Sequence, residues 1–108
     1  MRIESPVKKW PGHVVLPDYL NLAQALAWEE VVKSLRGANP EELTQTEFSA
    51  LFLPGVFSIV QEWKLEGLPE NMTAATFPFT PGRSARQLIN WLIREIGALW
   101  QDEEIPND

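Results

Sequence analysis

The sequence predicts a small, mainly α-helical domain of about four helices that follows a short N-terminal β-hairpin. The length of 108 residues suits one domain, and the composition, 44% hydrophobic and 22% charged, is typical of a globular protein. Apolar residues also recur at helical spacing in two long stretches. We therefore divide a single domain, residues 1–108, into a β-hairpin (residues 1–16), a helical body (residues 18–101) and an acidic tail (residues 102–108).

The hairpin is predicted from a turn signal between two extended segments. Residues 2–7 and 13–16 flank the sequence Trp10-Pro11-Gly12, and a Pro-Gly pair favours a turn. Two short strands are marginal on their own in water, so we expect the hairpin to pack against the rest of the domain.

The first helix is predicted to begin at Asp18, whose carboxylate suits a helix N-terminus, and to end at Gly37. Its inner face is an apolar stripe, and a stripe of this kind packs against other elements. The stripe consists of Leu20, Ala23, Ala27, Val31 and Leu35, widened by Leu22 and Leu26.

The middle of the chain contains a second helix start at Thr44, which has the spacing of a capping box with Glu47. Pro54 disfavours helical geometry in the residue before it, so it either ends this helix or kinks a longer one. If the helix ends there, a third helix follows over residues 56–65 and stops near Gly67. The sequence leaves both alternatives open.

The last helix is the longest predicted element. After an ordered connector over residues 68–80, Pro81 suits the first position of a helix that runs to Gln101. Its inner face is predicted from six apolar residues at helical spacing: Ala85, Leu88, Ile89, Leu92, Ile96 and Leu99.

The composition argues against several classes of function. The formal net charge is −6, whereas a nucleic-acid-binding protein gains affinity from clustered basic residues, so we expect no nucleic-acid partner. No apolar run approaches the roughly 20 residues of a transmembrane helix, so we expect no membrane insertion. The first six residues carry charge and proline, unlike a signal peptide, and the chain has no cysteine; we therefore expect a cytoplasmic protein.

No residue pattern points to catalysis, a cofactor or a metal. The single histidine, His13, has no second histidine or cysteine to act with. Adjacent acids such as Glu29 and Glu30 point about 100° apart on a helix and do not converge on one atom. The nearest approach to a site is the start of the last helix, where Arg83 and Arg86 beside free backbone N–H groups suit an anion. We expect a protein that is not an enzyme and needs no cofactor.

The five tryptophans carry the most information about function. Tryptophan anchors cores and is also enriched at the energetic centres of protein interfaces, so both roles stay open. Trp91 lies off the main stripe of the last helix and Trp100 lies beside its end, which favours an interface for these two. We name Trp91, Trp100 and Trp63 as candidate partner-binding residues, and expect an exposed apolar patch that carries at least one tryptophan.

Four segments of the second half of the chain carry a family resemblance: Leu53-Pro54-Gly55-Val56, Glu62-Trp63-Lys64-Leu65-Glu66-Gly67-Leu68-Pro69, Phe77-Pro78-Phe79-Thr80-Pro81 and Leu88-Ile89-Asn90-Trp91-Leu92-Ile93-Arg94-Glu95-Ile96. They resemble small phage and prophage proteins of the kind found near tail genes and described as tail assembly chaperones. The resemblance implies a protein that acts by holding another protein.

Two functions are consistent with these patterns. The leading hypothesis is a protein-interaction module of phage-like origin, a chaperone or adaptor for an aggregation-prone assembly component. The alternative is a regulatory domain that binds a small ligand or anion at the N-terminus of the last helix. A homo-oligomer is compatible with the first hypothesis, because oligomers and complexes both use exposed apolar residues.

Overall fold

The computed structural model describes residues 1–37 and 40–101 of the chain. In order, these residues form the strands β1 (Arg2–Glu4) and β2 (Gly12–Val15), the helix α1 (Leu22–Gly37), a short 3-10 helix (Pro40–Glu42), the helix α2 (Gln45–Ile59), the strand β3 (Glu62–Leu65) and the helix α3 (Gly82–Gln101). This part of the chain is mainly helical, as predicted. It combines three α-helices with a three-stranded antiparallel sheet, instead of about four helices with a hairpin. The predicted acidic tail lies outside the described residues.

The predicted hairpin is confirmed as the pair β1–β2, and β3 joins it on the other side of β2. Val14 of β2 lies opposite Trp63 of β3, and both side chains are buried. In the neighbouring row, Glu4, His13 and Lys64 lie side by side, and adjacent residues of a strand point to opposite faces. The sheet therefore turns one apolar face to the core and one charged face outward.

Gly12 allows β2 and β3 to approach each other closely. Its φ of 130° lies in a region that side chains disfavour, and a Cβ atom there would lie 2.0 Å from the carbonyl oxygen of Lys64. The Pro-Gly pair that we interpreted as a turn signal therefore has a second role: its glycine leaves room for the backbone of β3 beside β2.

The predicted third helix over residues 56–65 is wrong. The helix α2 ends at Ile59, Val60 is extended, and residues 62–65 form β3. Trp63 and Leu65 are buried whereas Glu62 and Lys64 are exposed, which is the two-residue period of a strand with one face in the core. This alternation is visible in the sequence, but it covers only four residues.

Pro54 does not end the second helix. The helix α2 runs without a break from Gln45 to Ile59 and contains Pro54. Its predicted capping box is confirmed: the Glu47 N–H donates to the Thr44 hydroxyl at 3.1 Å, and the Thr44 N–H donates to the Glu47 carboxylate at 2.9 Å. One helix therefore replaces the two that a break would have produced.

The helix α1 begins at Leu22 and not at Asp18. Asn21 caps it, because its side-chain oxygen accepts the Gln24 N–H at 2.8 Å while its own N–H donates to the Gln24 side chain at 3.0 Å. Asp18 instead lies 3.4 Å from the amino group of Met1. A capping pair formed by Asn and Gln was present in the sequence three residues past the predicted start.

The connector over residues 68–80 contains no regular element, as predicted, and apolar side chains fix its path. Met72 is buried and Phe77 is partly buried. The Phe77 N–H donates to the Thr73 carbonyl at 2.8 Å, which closes a turn between them. The connector ends in a cis peptide bond between Thr80 and Pro81.

Buried side chains from the sheet and from all three α-helices form one continuous core. The helix α2 contacts both α1 and α3. The predicted inner face of α3 is confirmed, because all six of its residues are buried: Ala85, Leu88, Ile89, Leu92, Ile96 and Leu99.

The close contact between α1 and α2 depends on a glycine in the middle of α2. A Cβ atom at Gly55 would lie 3.1 Å from the Trp28 indole and 3.4 Å from a methyl group of Val31. Trp28 is only 2% exposed and its ring centroid lies 5.6 Å from that of Phe52, so the indole has little room to move. The absence of a side chain at Gly55 therefore sets the spacing of the two helices.

We predict that Gly55→Ala lowers the free energy of unfolding by about 1–2 kcal/mol. Overpacking a well-packed core typically costs about 1–3 kcal/mol, and the better helix propensity of alanine returns at most about 1 kcal/mol. Chemical denaturation measures the difference.

The matched control is Gly97→Ala in α3, where a Cβ atom would meet nothing within 4 Å. This variant should gain stability by up to about 1 kcal/mol from propensity alone. Equal stabilisation by both substitutions would contradict the tight contact between Gly55 and Trp28.

Candidate functional site

The structure places most of the tryptophan surface in the core. Four of the five indoles are almost fully buried and Trp100 is partly buried; the exposed fractions are 5% for Trp10, 2% for Trp28, 6% for Trp63 and 4% for Trp91. Trp91 follows Leu88 by three residues, so it lies at the margin of a buried face that is wider than the predicted stripe. The expectation that Trp91 is exposed is therefore wrong, and Trp63 also offers a partner little surface.

Trp63 has a structural role that its position on β3 explains. Its ring forms edge-to-face contacts with Phe57 of α2 and Phe77 of the connector, at centroid distances of 6.2 and 6.3 Å. Phe57 and Phe77 also contact each other at 6.1 Å. This aromatic triangle joins the sheet, α2 and the connector, and aromatic pairs in such geometry are favourable.

Among the described residues, three of the exposed large apolar side chains lie in the first half of α1 or just before it. Tyr19 is 69% exposed, Leu22 74% and Leu26 53%. We call these three residues the α1 strip. We expected Leu22 and Leu26 on the inner face, and that expectation is wrong.

Helix geometry explains why the two leucines point outward. Trp28 and Val31 are the buried residues of α1 and define its inner direction. At 100° per residue, Leu22 and Leu26 are rotated about the helix axis by roughly 150° and 190° from that direction. Both leucines therefore lie on the opposite side of the helix. The sequence carries a signal for the strip in this angle between Trp28 and the two leucines. Once Trp28 is assigned to the core, Leu22 and Leu26 lie on the opposite side of the same helix.

Acidic side chains border the α1 strip. Glu29 and Glu30 follow Leu26 by three and four residues, on either side of the line through the two leucines, and both are exposed. Asp18 precedes Tyr19 and is also exposed. Lys33 is the first basic residue of α1 and lies about two turns beyond Leu26.

A shallow groove lies between α1 and α2. Its volume is about 300 Å³, and its lining is largely apolar, with Glu30, Ser34 and Ser58 as the polar members. The other lining residues are Ala27, Val31, Leu51, Pro54 and Gly55.

At the predicted anion site at the start of α3, one of the two arginines is engaged by another side chain. The Arg86 guanidinium donates to the Gln45 side-chain oxygen at 3.3 Å. Arg83 is exposed, and within residues 1–37 and 40–101 it forms no ion pair. The Gln45 side-chain nitrogen is buried without a hydrogen-bond partner, so the contact with Arg86 leaves one polar group unsatisfied.

The outer face of the sheet carries several titratable residues. His13 is flanked by Glu4 and Lys64 on the outer face. The Lys64 ammonium lies 3.1 Å from the Glu70 carboxylate and 3.8 Å from that of Glu62. The hydrogen bond from Lys64 to Glu70 raises the pKa of Lys64.

Two classes of site can be assessed across the described residues. In residues 1–37 and 40–101, no three His, Asp or Glu side chains lie close enough together to hold a metal ion. In the same part of the chain, no helix has both the length and the apolar character needed to cross a bilayer.

Comparison with known proteins identifies no relative: no family model, no curated protein and no solved structure matches the chain. The resemblance to phage tail assembly chaperones therefore rests on the four sequence segments alone.

The burial of Trp91 predicts that Trp91→Ala destabilises the fold. Removing a buried tryptophan side chain typically costs about 3–5 kcal/mol, and the cost should appear in chemical denaturation without any partner present. Trp100→Ala should cost clearly less, because Trp100 is only partly buried. If Trp91→Ala unfolded at the same denaturant concentration as the unmodified protein, the core position of Trp91 would be wrong.

Proposed function

We propose that this protein is an interaction module that acts in the cytoplasm by binding another protein through the α1 strip. The observation that carries the proposal is the exposure of Leu22 and Leu26, one turn apart on the outer face of α1. Burying a leucine side chain fully is worth roughly 1.5–3 kcal/mol, so a partner that covers both gains appreciable free energy. Tyr19 adds an aromatic side chain of a type enriched at interface centres.

The arrangement of polar groups supports binding rather than catalysis. A reaction needs a nucleophile or base within hydrogen-bond reach of a second group and of a substrate atom. In the described part of the chain, His13 lies on the outer face of the sheet, and Lys64 is held by Glu70 and Glu62. We therefore propose that the protein is not an enzyme.

The resemblance in the second half of the chain supports a phage-type role. On that basis we propose a tail assembly chaperone or adaptor, which holds an aggregation-prone structural component until assembly. Several residues that carry the resemblance, among them Gly55, Trp63 and Trp91, are buried. The resemblance therefore concerns residues that support the fold, and the contact surface is proposed from exposure.

The alternative function is a regulatory domain that binds a small anionic ligand at the start of α3. Its support is Arg83, which is exposed in the first turn of a long helix, where backbone N–H groups favour anions. The engagement of Arg86 with Gln45 weakens it, because only one of the two arginines is then free for a ligand.

Capture from the native host after phage induction tests the proposal. We expect the tagged protein to retain a phage structural component, identified by mass spectrometry, and the double variant Leu22→Gln/Leu26→Gln to lose it. Both positions are exposed, so the double variant should keep the stability of the unmodified protein.

Phe79→Gln is the matched control, because Phe79 is an exposed large apolar residue outside the strip, at 48% exposure. Loss of the same component in this control would indicate general stickiness instead of a defined surface. If the chain retained no structural component, and calorimetry showed binding of phosphate that Arg83→Ala abolishes, the anion-binding alternative would replace the proposal.

A further inference from the structure

We propose that the α1 strip binds an amphipathic helix of a partner protein, and that lysine and arginine border the apolar face of that helix. This inference rests on the proposed function and names the chemistry of the partner. It depends on the spacing of the two leucines, the acids around them, and the poor fit of a second copy of this chain whose α1 helix is parallel to the first.

The spacing of the strip suits a helical partner. Leu22 and Leu26 are four residues apart, so their side chains form a short ridge along α1. Ridges of this kind pack into the grooves between side chains of a second helix.

The charges around the strip indicate which residues flank the apolar face of the partner helix. Glu29 and Glu30 lie after the ridge, one on each side of its line, and both are exposed. Asp18, which precedes the ridge, is paired with the amino group of Met1 at 3.4 Å. Lys33 is the first basic side chain of α1 and lies on the same face as Leu26, about two turns further along. A partner with basic residues beside its apolar face meets Glu29 and Glu30 on the two sides of the ridge, and complementary charges speed association and reject other partners.

A second copy of this chain fits the strip poorly when the two α1 helices are parallel. Glu29 and Glu30 then face their own counterparts, so like charges oppose each other.

An anionic membrane surface is also a poor occupant. Peripheral amphipathic helices attach through lysine and arginine around an apolar face, because the lipid headgroups are negative. The acids that border the α1 strip are repelled by that surface. A basic helix of a protein is therefore the occupant that the charges favour.

Two designed peptides of about 18 residues test the inference with the full chain. Both carry leucines at helical spacing on one face; lysines border that face in one peptide and glutamates border it in the other. Fluorescence anisotropy measures the affinities, and amide chemical shifts locate the contact. We expect the lysine peptide to bind at least ~10-fold more tightly at low salt, with shifts centred on residues 18–30.

Two double variants separate the apolar and the charged contributions. Leu22→Gln/Leu26→Gln should abolish binding of the lysine peptide, and Glu29→Lys/Glu30→Lys should reverse the preference between the peptides. Phe79→Gln should leave both affinities unchanged. All of these positions are exposed, and circular dichroism confirms that each variant is folded.

Several results would overturn the inference. Equal affinity for the two peptides would remove the role of charge, and binding that survives Leu22→Gln/Leu26→Gln would place the site elsewhere. If the unmodified chain self-associates and this variant abolishes the self-association, the occupant of the strip is a second copy of the chain. If the strip binds phosphatidylserine vesicles, the occupant is a membrane. If host capture depends on the leucines but not on Glu29 and Glu30, the proposed function stands and this inference fails.

Discussion

The contact between Trp28 and Gly55 is the constraint on which the rest of the structure depends. The indole lies where a larger side chain at position 55 would be, so α1 and α2 approach closely. This contact also decides which face of α1 points inward. With Trp28 and Val31 in the core, the helix has to expose Leu22 and Leu26, and the candidate surface is a geometric consequence of core packing.

The elements that the sequence predicts well are those whose signals are local. The face of α3 repeats over about four turns, and the capping box of α2 involves residues three apart. The strand β3 was missed because it depends on pairing with β2, which is distant in the sequence. Val14 of β2 lies opposite Trp63 of β3. Four alternating residues are too short a signal to outweigh the helix that precedes them.

The candidate site was the least predictable feature, since it depends on which of the many apolar residues are buried in the core and which are left exposed. The first half of α1 is apolar on nearly every side, so its sequence does not single out one inner face. Interface statistics then favoured Trp91, which the structure buries, over two leucines that it exposes. In the proposed complex, Glu29 and Glu30 beside these leucines favour a basic partner over an anionic membrane.

Solvent paramagnetic relaxation in the free protein tests this division between core and surface most directly. A soluble gadolinium chelate attenuates NMR signals according to their exposure, and leucine methyl groups and indole N–H groups can be observed in one labelled sample. The account predicts strong attenuation of the Leu22 and Leu26 methyl groups and little attenuation at Leu88, Trp63 and Trp91. Strong attenuation of the Trp91 indole, together with protected methyl groups at Leu22 and Leu26, would contradict it and return the contact surface to α3.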